Sequence, residues 1–504
     1  LSGFRSPFRM RPSPRWCKIT RMLETVMELL NGEQGADYIR ALKIVFLACL
    51  AVAALAVLFA PSIKPGKTSY GLLRGLVAFS LAGVLAYQAT WQIGGFARPP
   101  FARFLRRYNK RPNAAALQVA RGPILDRRGL VLAAPVPGDI WGRRYPLGEA
   151  AAHPIGYYHS RYGITAVERV FDDELSGCGA ESAPAKGLFK PRAEEGATVL
   201  LNLDSRLQAK AYELLDGRKG AVVVLRPRSG ALLALVSSPG FDPLRPEAAA
   251  RDEENAPVFN RAVQGRYPPG STFKILIAGA ALAKGLSPSY PCPAMGYVAG
   301  RDTPPIRDNE YYAYKRKGAE WPGWGRLTMR EAMAHSSNVY FAQLGVACGP
   351  ETFNEIAALA RINEPLVYLA APSAELKTAK GNAPAVPKNR KGALAMLAIG
   401  QGEVLVTPLH VACYTAAAAA DGALMRPRLG LREPVEKLAD LFTPQAAAQL
   451  RTMLRDAVAL GTGKAANVPG LEVCGKTGTA QAPQGDDHAW FTCFAPYRHP
   501  NIVV

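Results

Sequence analysis

Ser271 stands between a breaker, Pro268-Pro-Gly270, and an almost uninterrupted apolar run, Ile275-Leu-Ile-Ala-Gly-Ala-Ala-Leu282, with Lys274 three positions on. That order places a hydroxyl at a predicted helix N-terminus, where unpaired N–H groups and the helix dipole favour negative charge growing on oxygen. At i+3 the lysine shares the serine's face. An ammonium held in apolar surroundings loses hydration, and its pKa falls toward a value useful for removing the serine proton. The pair forms an activated nucleophile without histidine. Two more groups carry chemistry. Ser336-Ser-Asn338 precedes an apolar helical stretch, and Lys476-Thr-Gly-Thr479 ends a predicted strand. Lys476 with the hydroxyls of Thr477 and Thr479 can hold a carboxylate, and Gly478 leaves room for a substrate backbone along the strand. Ser336 suits proton relay to a leaving amine, and Asn338 offers a substrate amide both donor and acceptor.

Each motif alone also has a bland reading. S-x-x-K arises by chance about once in a chain of this length, and a capping serine beside a snorkelling lysine would look the same. S-x-N is more often a helix cap and K-T-G more often a turn. Their order changes the weighing: 65 positions separate Ser271 from Ser336, and 138 separate Asn338 from Lys476. The trio S-x-x-K, S-D-N, K-T-G in this order marks β-lactamases and penicillin-binding proteins. Ser337 replaces Asp at the variable position of the middle motif, a departure expected to matter little.

These residues need a scaffold, and the pattern supplies one. Ala197–Leu201 reads as a strand, Ser205–Leu215 as a helix, and Ala221–Leu225 and Ala231–Val236 as strands joined by the turn Arg226-Pro-Arg-Ser-Gly230. Strands, then Ala- and Leu-rich helices, then strands again predict an α+β or α/β domain from about residue 195 onward. Upstream, Arg121–Ala133 has a strand, turn, strand pattern punctuated by Gly122 and Gly129, which predicts a small β-rich unit. Residues 44–60 and 75–91 are charge-free apolar stretches near the lower length limit for a membrane helix. One arrangement makes the second alone the inside-to-outside anchor, with Lys64, Lys67 and Arg74 on its cytoplasmic flank, and the first extra, interfacial or the last of several spans. Arg98, Arg103, Arg106, Arg107, Lys110 and Arg111 after the second stretch pull the other way under the positive-inside rule.

The chain is ordinary globular protein in composition, with 49% apolar and 20% charged residues. Its net charge is +21, and Arg and Lys crowd the first 130 positions around the apolar stretches, which fits a membrane surface; no nucleic-acid-binding motif accompanies them. Eight scattered cysteines without a C-x-x-C pair, and no histidine at ligand spacing, argue against a metal site. Most read as small buried hydrophobes. If 471–479 and 488–496 form a hairpin, Cys474 and Cys493 stand equally far from its tip and could face each other, although directly paired strand positions strain a disulfide. The chain begins at Leu1 and stops in an apolar β-type run, so it reads as a fragment.

From about residue 85 onward the chain resembles a class B penicillin-binding protein, most of all the short-pedestal kind called penicillin-binding protein A. Besides the trio, the resemblance rests on Arg121–Ala133, Arg144-Tyr-Pro-Leu-Gly148, Gly163-Ile-Thr-Ala-Val-Glu168, Leu235–Pro243, Ile399-Gly-Gln-Gly402, Thr407-Pro-Leu409, Ala489-Trp-Phe491 and Ala495-Pro496. Charge and hydropathy mark a basic segment 1–43, a possible membrane helix at 44–60 and a membrane anchor at 75–91, while the resemblance implies a dimerisation-like pedestal 95–195 and a serine transpeptidase domain 196–504 that lacks the family's closing strand and C-terminal helix. It further implies that Ser271 attacks the penultimate D-Ala carbonyl of a peptidoglycan stem peptide and passes the acyl group to an amine. On the same resemblance β-lactams acylate that serine, and the N–H groups of Ser271 and Thr479 form the oxyanion hole. No metal or organic cofactor is implied. The partners it implies are stem peptides, penicillin and other β-lactams, the bacterial cell membrane with catalysis outside it, and a membrane glycosyltransferase, with no nucleic acid. A β-lactamase would carry an E-x-x-L-N run between Asn338 and Lys476, and a β-lactam-sensing receptor an H-E-x-x-H; neither is present. A non-catalytic scaffold would not need all three motifs. A D,D-carboxypeptidase remains the near alternative, differing only in whether water or an amine deacylates.

Overall fold

The computed structural model describes residues 120–177, 196–300, 303–481 and 486–504, with eight helical positions between 75 and 85. The chain divides into two compact units, Leu1–Asn109 and Lys110–Val504, and all three motifs lie in the second. The basic segment 1–43, the apolar stretch 44–60 and most of 75–91 lie outside the described residues. Among the described residues no helix is long and apolar enough to cross a membrane.

The predicted β-rich unit begins with β1 (Ile124–Leu125), β2 (Val131–Val136) and β3 (Asp139–Arg144). Between β1 and β2 the Asp126 carboxylate accepts hydrogen bonds from the N–H groups of Arg128 and Leu130 at 2.7 and 2.9 Å, and Gly129 turns the chain with φ +83°. Helix α1 (Ala166–Val170) delivers the fully buried Glu168. Its two oxygens receive Arg121 Nε and Arg143 Nε, each at 2.7 Å. The expected strand at 197–201 shortens to β4 (Val199–Leu200), which runs parallel to β1, so the sheet order is β3-β2-β1-β4. Asp126 also ties this unit to the next one, since its second oxygen accepts from the N–H and hydroxyl of Ser205 at 3.1 and 2.7 Å.

Ser205 starts α2 (Ser205–Leu215), which has the predicted bounds and is capped by the Asp204 side chain. Strands β5 (Gly220–Leu225) and β6 (Leu232–Ser238) follow as the predicted hairpin, closed where Gly230 takes φ +66°. They join a five-stranded antiparallel sheet with three strands from the far end of the chain: β7 (Cys474–Ala480), β8 (His488–Ala495) and β9 (Ile502–Val503), in the order β7-β8-β9-β5-β6. The K-T-G strand is therefore at the sheet's edge. β7 pairs with β8 along its whole length, and β9 links β8 to β5.

The helical layer comprises α3 (Lys274–Ala283), α4 (Met329–His335), α5 (Asn338–Leu359), α6 (Pro408–Ala419) and α7 (Pro444–Ala459). α5 bends at Gly349–Pro350, where proline cannot continue the helical hydrogen bonding. α6 is buried from Leu409 to Ala419, His410 and Thr415 included, and it packs against β5, β8 and β9 of the sheet. α3 is buried from Lys274 to Ala281; at Gly279 a Cβ would lie 2.2 Å from the Phe442 ring.

The register of β7 and β8 corrects one expectation. Cys474 pairs with Phe494, and Cys493 pairs with Gly475. One residue of offset in a strand turns a side chain to the opposite face, so the two sulfurs do not meet, and both are free thiols.

Candidate active site

Gly270–Phe273 is a turn of 3-10 helix that runs into α3, so Ser271 sits one turn ahead of the α-helix proper. Lys274, at i+3 from Ser271, is the first residue of that α-helix. Three hydrogen bonds fix this turn. Gly270 N–H donates to Gly400 O at 2.9 Å, Trp490 Nε1 to Pro268 O at 3.0 Å, and Thr272 Oγ1 to Pro269 O at 2.8 Å. The same Thr272 oxygen lies 2.9 Å from the buried Tyr414 hydroxyl. Gly270 has φ +54°, and a Cβ there would lie 2.5 Å from Thr479 O, so only glycine lets the nucleophile's turn approach the K-T-G strand this closely.

Gly478 serves the same approach from the other side. A Cβ on it would lie 3.0 Å from both Thr272 Cγ2 and Trp490 Cβ. The room left by its missing side chain is taken by the protein's own nucleophile turn, rather than being kept for a substrate backbone.

Ser336 is the C-cap of α4 and adopts a left-handed conformation, φ 59°, ψ 34°, which projects it between two lysines. Lys274 Nζ donates to Ser336 O at 2.6 Å and to Asn338 Oδ1 at 2.8 Å, and stands 3.5 Å from Ser336 Oγ. Lys476 Nζ donates to Ser336 Oγ at 2.7 Å and to Thr477 O at 3.0 Å. Four of the eight predicted residues, Lys274, Ser336, Asn338 and Lys476, are thus joined by hydrogen bonds; both lysines are 0% exposed, and Ser271, three positions before Lys274, is 8% exposed. Thr477 and Thr479 lie on the opposite face of the strand from Lys476. Thr479 is exposed, and the Thr477 hydroxyl is 2.7 Å from that of Thr462. Among the described residues no group of histidine, cysteine and carboxylate side chains could hold a metal ion.

Burial pushes the Lys274 ammonium down from the ordinary lysine value to about 7, against the pull of Asp308 and Glu310. Burial also holds Lys476 well below the usual lysine range, and the positive neighbour Lys274 adds to the effect. Two amines packed around one hydroxyl cannot both be comfortably charged. Phe341 closes the far side, its ring centroid 5.5 Å from Lys274 Nζ.

Other groups in the site have no role in the sequence motifs. Asp308 accepts from Ser337 Oγ and from the N–H groups of Asn338 and Val339. Ser337, the position expected to matter little, is 0% exposed and caps α5 by accepting from Tyr340 N–H at 3.1 Å. Gly461-Thr-Gly463 reads only as a turn, yet it brings Thr462 to Thr477. Asp308 has no local signal at all, since its partners lie about 30 positions downstream.

Residues 220–504 match the penicillin-binding protein transpeptidase domain, and residues 121–199 match the penicillin-binding protein A dimerisation domain. The chain is 32% identical over 399 residues to a peptidoglycan D,D-transpeptidase, PbpA, of Mycobacterium tuberculosis, covering 72% of this chain and 78% of that protein. It is 29% identical to the peptidoglycan D,D-transpeptidase MrdA of Acinetobacter baumannii, covering 72% of this chain and 62% of that protein. Among solved structures, the ceftriaxone acyl-enzyme of penicillin-binding protein A from M. tuberculosis superposes with a TM-score of 0.67 at 30% identity, covering 77% of this chain and 92% of that one. A D,D-transpeptidase domain from Eggerthella lenta gives 0.64 at 28% identity, with the same two coverages. The fold is the mixed α/β fold of penicillin-binding transpeptidases, and the chain belongs to the class B penicillin-binding proteins.

Proposed function

We propose that this chain is a peptidoglycan D,D-transpeptidase that cross-links stem peptides through an acyl-enzyme on Ser271 and is acylated at the same oxygen by β-lactams. The observation that carries the reading is that Lys476 and Lys274, the latter one helical turn after Ser271, converge on Ser336.

Neutral Lys274 takes the Ser271 proton as Oγ bonds to the penultimate D-Ala carbonyl carbon. The carbonyl oxygen becomes an oxyanion held by the N–H groups of Ser271 and Thr479. In an antiparallel strand the N–H and C=O of one residue point to the same side, and Thr479 O receives Gln401 Nε2 at 3.4 Å beyond the free edge of β7, so its N–H faces that edge too. An edge strand also lets a substrate peptide lie alongside as an added strand. Lys476 already donates to Ser336 Oγ, which leaves the Ser336 proton free to pass to the departing D-Ala nitrogen as the C–N bond breaks. Lys274 then restores the Ser336 proton. The acceptor amine repeats these steps in reverse, breaking the ester to Ser271. Thr477 and Thr479, with the positive charge of Lys476 behind them, hold the terminal carboxylate, and Asn338 aligns a substrate amide with its remaining N–H.

Residues 95–195 act as the pedestal and 196–504 as the transpeptidase domain. The apolar segments 44–60 and 75–91 anchor the chain in the bacterial cell membrane, so that the catalytic domain meets wall strands on the extracytoplasmic side, beside a membrane glycosyltransferase.

Lipid-linked peptidoglycan strands, incubated with the full chain and a glycosyltransferase, should yield cross-linked dimers and one D-Ala for each bond formed. Free D-Ala without dimers would make the protein a D,D-carboxypeptidase instead.

A further inference from the structure

We propose that Asp308, which lies outside all three motifs, is a positioning residue for acylation: its buried carboxylate pins the Ser336–Asn338 turn to the start of α5 and balances the charge around Lys274. The inference rests on the reading of Ser271 and Lys274 given above.

The carboxylate is 1% exposed, and each of its oxygens is used. Oδ2 accepts from Ser337 Oγ at 3.0 Å, and Oδ1 accepts from Asn338 N–H and, at 3.1 Å, from Val339 N–H. The two N–H groups are the first of a 22-residue helix, where a negative charge meets the positive end of the dipole. Ser337 passes the restraint on by accepting from Tyr340 N–H while donating to Asp308. One residue earlier, Ser336 holds the left-handed conformation that a serine rarely adopts unaided, and its oxygens are the meeting point of both lysines. Next door, Asn338 Oδ1 takes Lys274, while its Nδ2 donates to Arg307 O at 3.1 Å. Thus Arg307 and Asp308 together hold the segment that follows Ser336.

The same carboxylate is one of two acidic groups whose field reaches Lys274; the other is Glu310, at the start of the helix Asn309–Arg316. Lys476 faces the pair from β7, and His335 at the end of α4 also feels Asp308. Asp308 raises the affinity of Lys274 for its proton, while burial lowers it. Removing the charge alone should therefore make Lys274 lose its proton at lower pH.

The test measures the second-order rate of acylation of the full chain by a fluorescent penicillin between pH 5 and 9, for wild type, Asp308→Asn, Asp308→Ala and Ser337→Ala, with Ser271→Ala as the control. Asp308→Asn keeps the acceptor for the two N–H groups and should lower the plateau about tenfold, while Asp308→Ala frees the turn and should cost roughly 100-fold. In Asp308→Asn the acid limb, set by Lys274, should move down by roughly one pH unit. Ser337→Ala keeps the charge, so its plateau should fall and its midpoint stay in place. An Asp308→Asn midpoint that stays put or moves up, or a plateau within twofold of wild type in Asp308→Ala, overturns the proposal. Labelling of Ser271→Ala overturns the nucleophile instead, which separates the two failures.

Discussion

Lys274→Ala should acylate with benzylpenicillin about 1,000-fold more slowly than wild type while keeping its fold, a loss within the 10²–10⁴ range of a positioned general base. The reasoning starts from charge. Lys274 is enclosed by Phe341, Ser336 and Asn338, and burial holds its pKa near the working pH, at about 7. A base is most effective when its pKa lies there, because it is both unprotonated often enough and basic enough. In the wild type the acylation rate should therefore rise with pH through about 7, as the ammonium loses its proton. Lys274→Arg separates proton abstraction from charge, since a guanidinium does not deprotonate in a protein. It should be as slow as the alanine variant and show no acid limb. Rapid-mixing measurement of covalent labelling checks both. An arginine variant within tenfold of wild type would mean that Lys274 acts only as a fixed positive charge.

Glu168→Ala should unfold on the order of 10 °C below wild type, because it takes a shared carboxylate from two guanidinium groups in the interior. Glu168 is 0% exposed and takes Arg121 on one oxygen and Arg143 on the other. The Arg121 group also reaches Asp172 at 2.7 Å and Glu168 O at 2.7 Å, and Arg143 reaches Gly122 O at 2.8 Å. The cluster joins β1's lead-in, β3 and α1. Removing one partner of such a buried pair typically costs about 3–5 kcal/mol, since Arg143 is left without a carboxylate partner and Arg121 keeps only Asp172. At roughly 2–4 °C per kcal/mol for a domain of this size, that is a large shift in a thermal melt. Burial alone would raise the Glu168 pKa, but the two arginines outweigh it and hold the carboxyl below its ordinary value. The sign follows: a depressed carboxylate contributes its full stability above its unfolded pKa and loses it as pH falls through the lower folded value. Wild type and Glu168→Ala should accordingly converge in stability under strongly acidic conditions. A melt shift under about 2 °C at neutral pH would mean that the cluster is not a structural keystone.

How far the sequence reaches can be seen residue by residue. Helix Ser205–Leu215 was readable because Asp204 caps it and the apolar positions keep helical spacing, and both signals are local. The hairpin of β5 and β6 was readable from its strand pattern and from Gly230. Ser271, Lys274, Ser336, Asn338 and Lys476 announce themselves by type, spacing and order. What stayed hidden is set by register or by distant partners. Cys474 and Cys493 look symmetric about a turn, yet the true pairing is one residue off, and that single step reverses a face. Gly478 could be recognised as necessary, but not that Thr272 and Trp490 are what it makes room for. Asp308 is one carboxylate among many until the fold carries Ser337 to it.

The most direct test of the central claim is to treat the full chain with benzylpenicillin and locate the adduct by mass spectrometry after trypsin digestion. The tryptic peptide Tyr267–Lys274 should carry one penicilloyl group on Ser271, and Ser271→Ala should carry none anywhere. An adduct on another residue, or undiminished labelling of Ser271→Ala, would contradict the assignment.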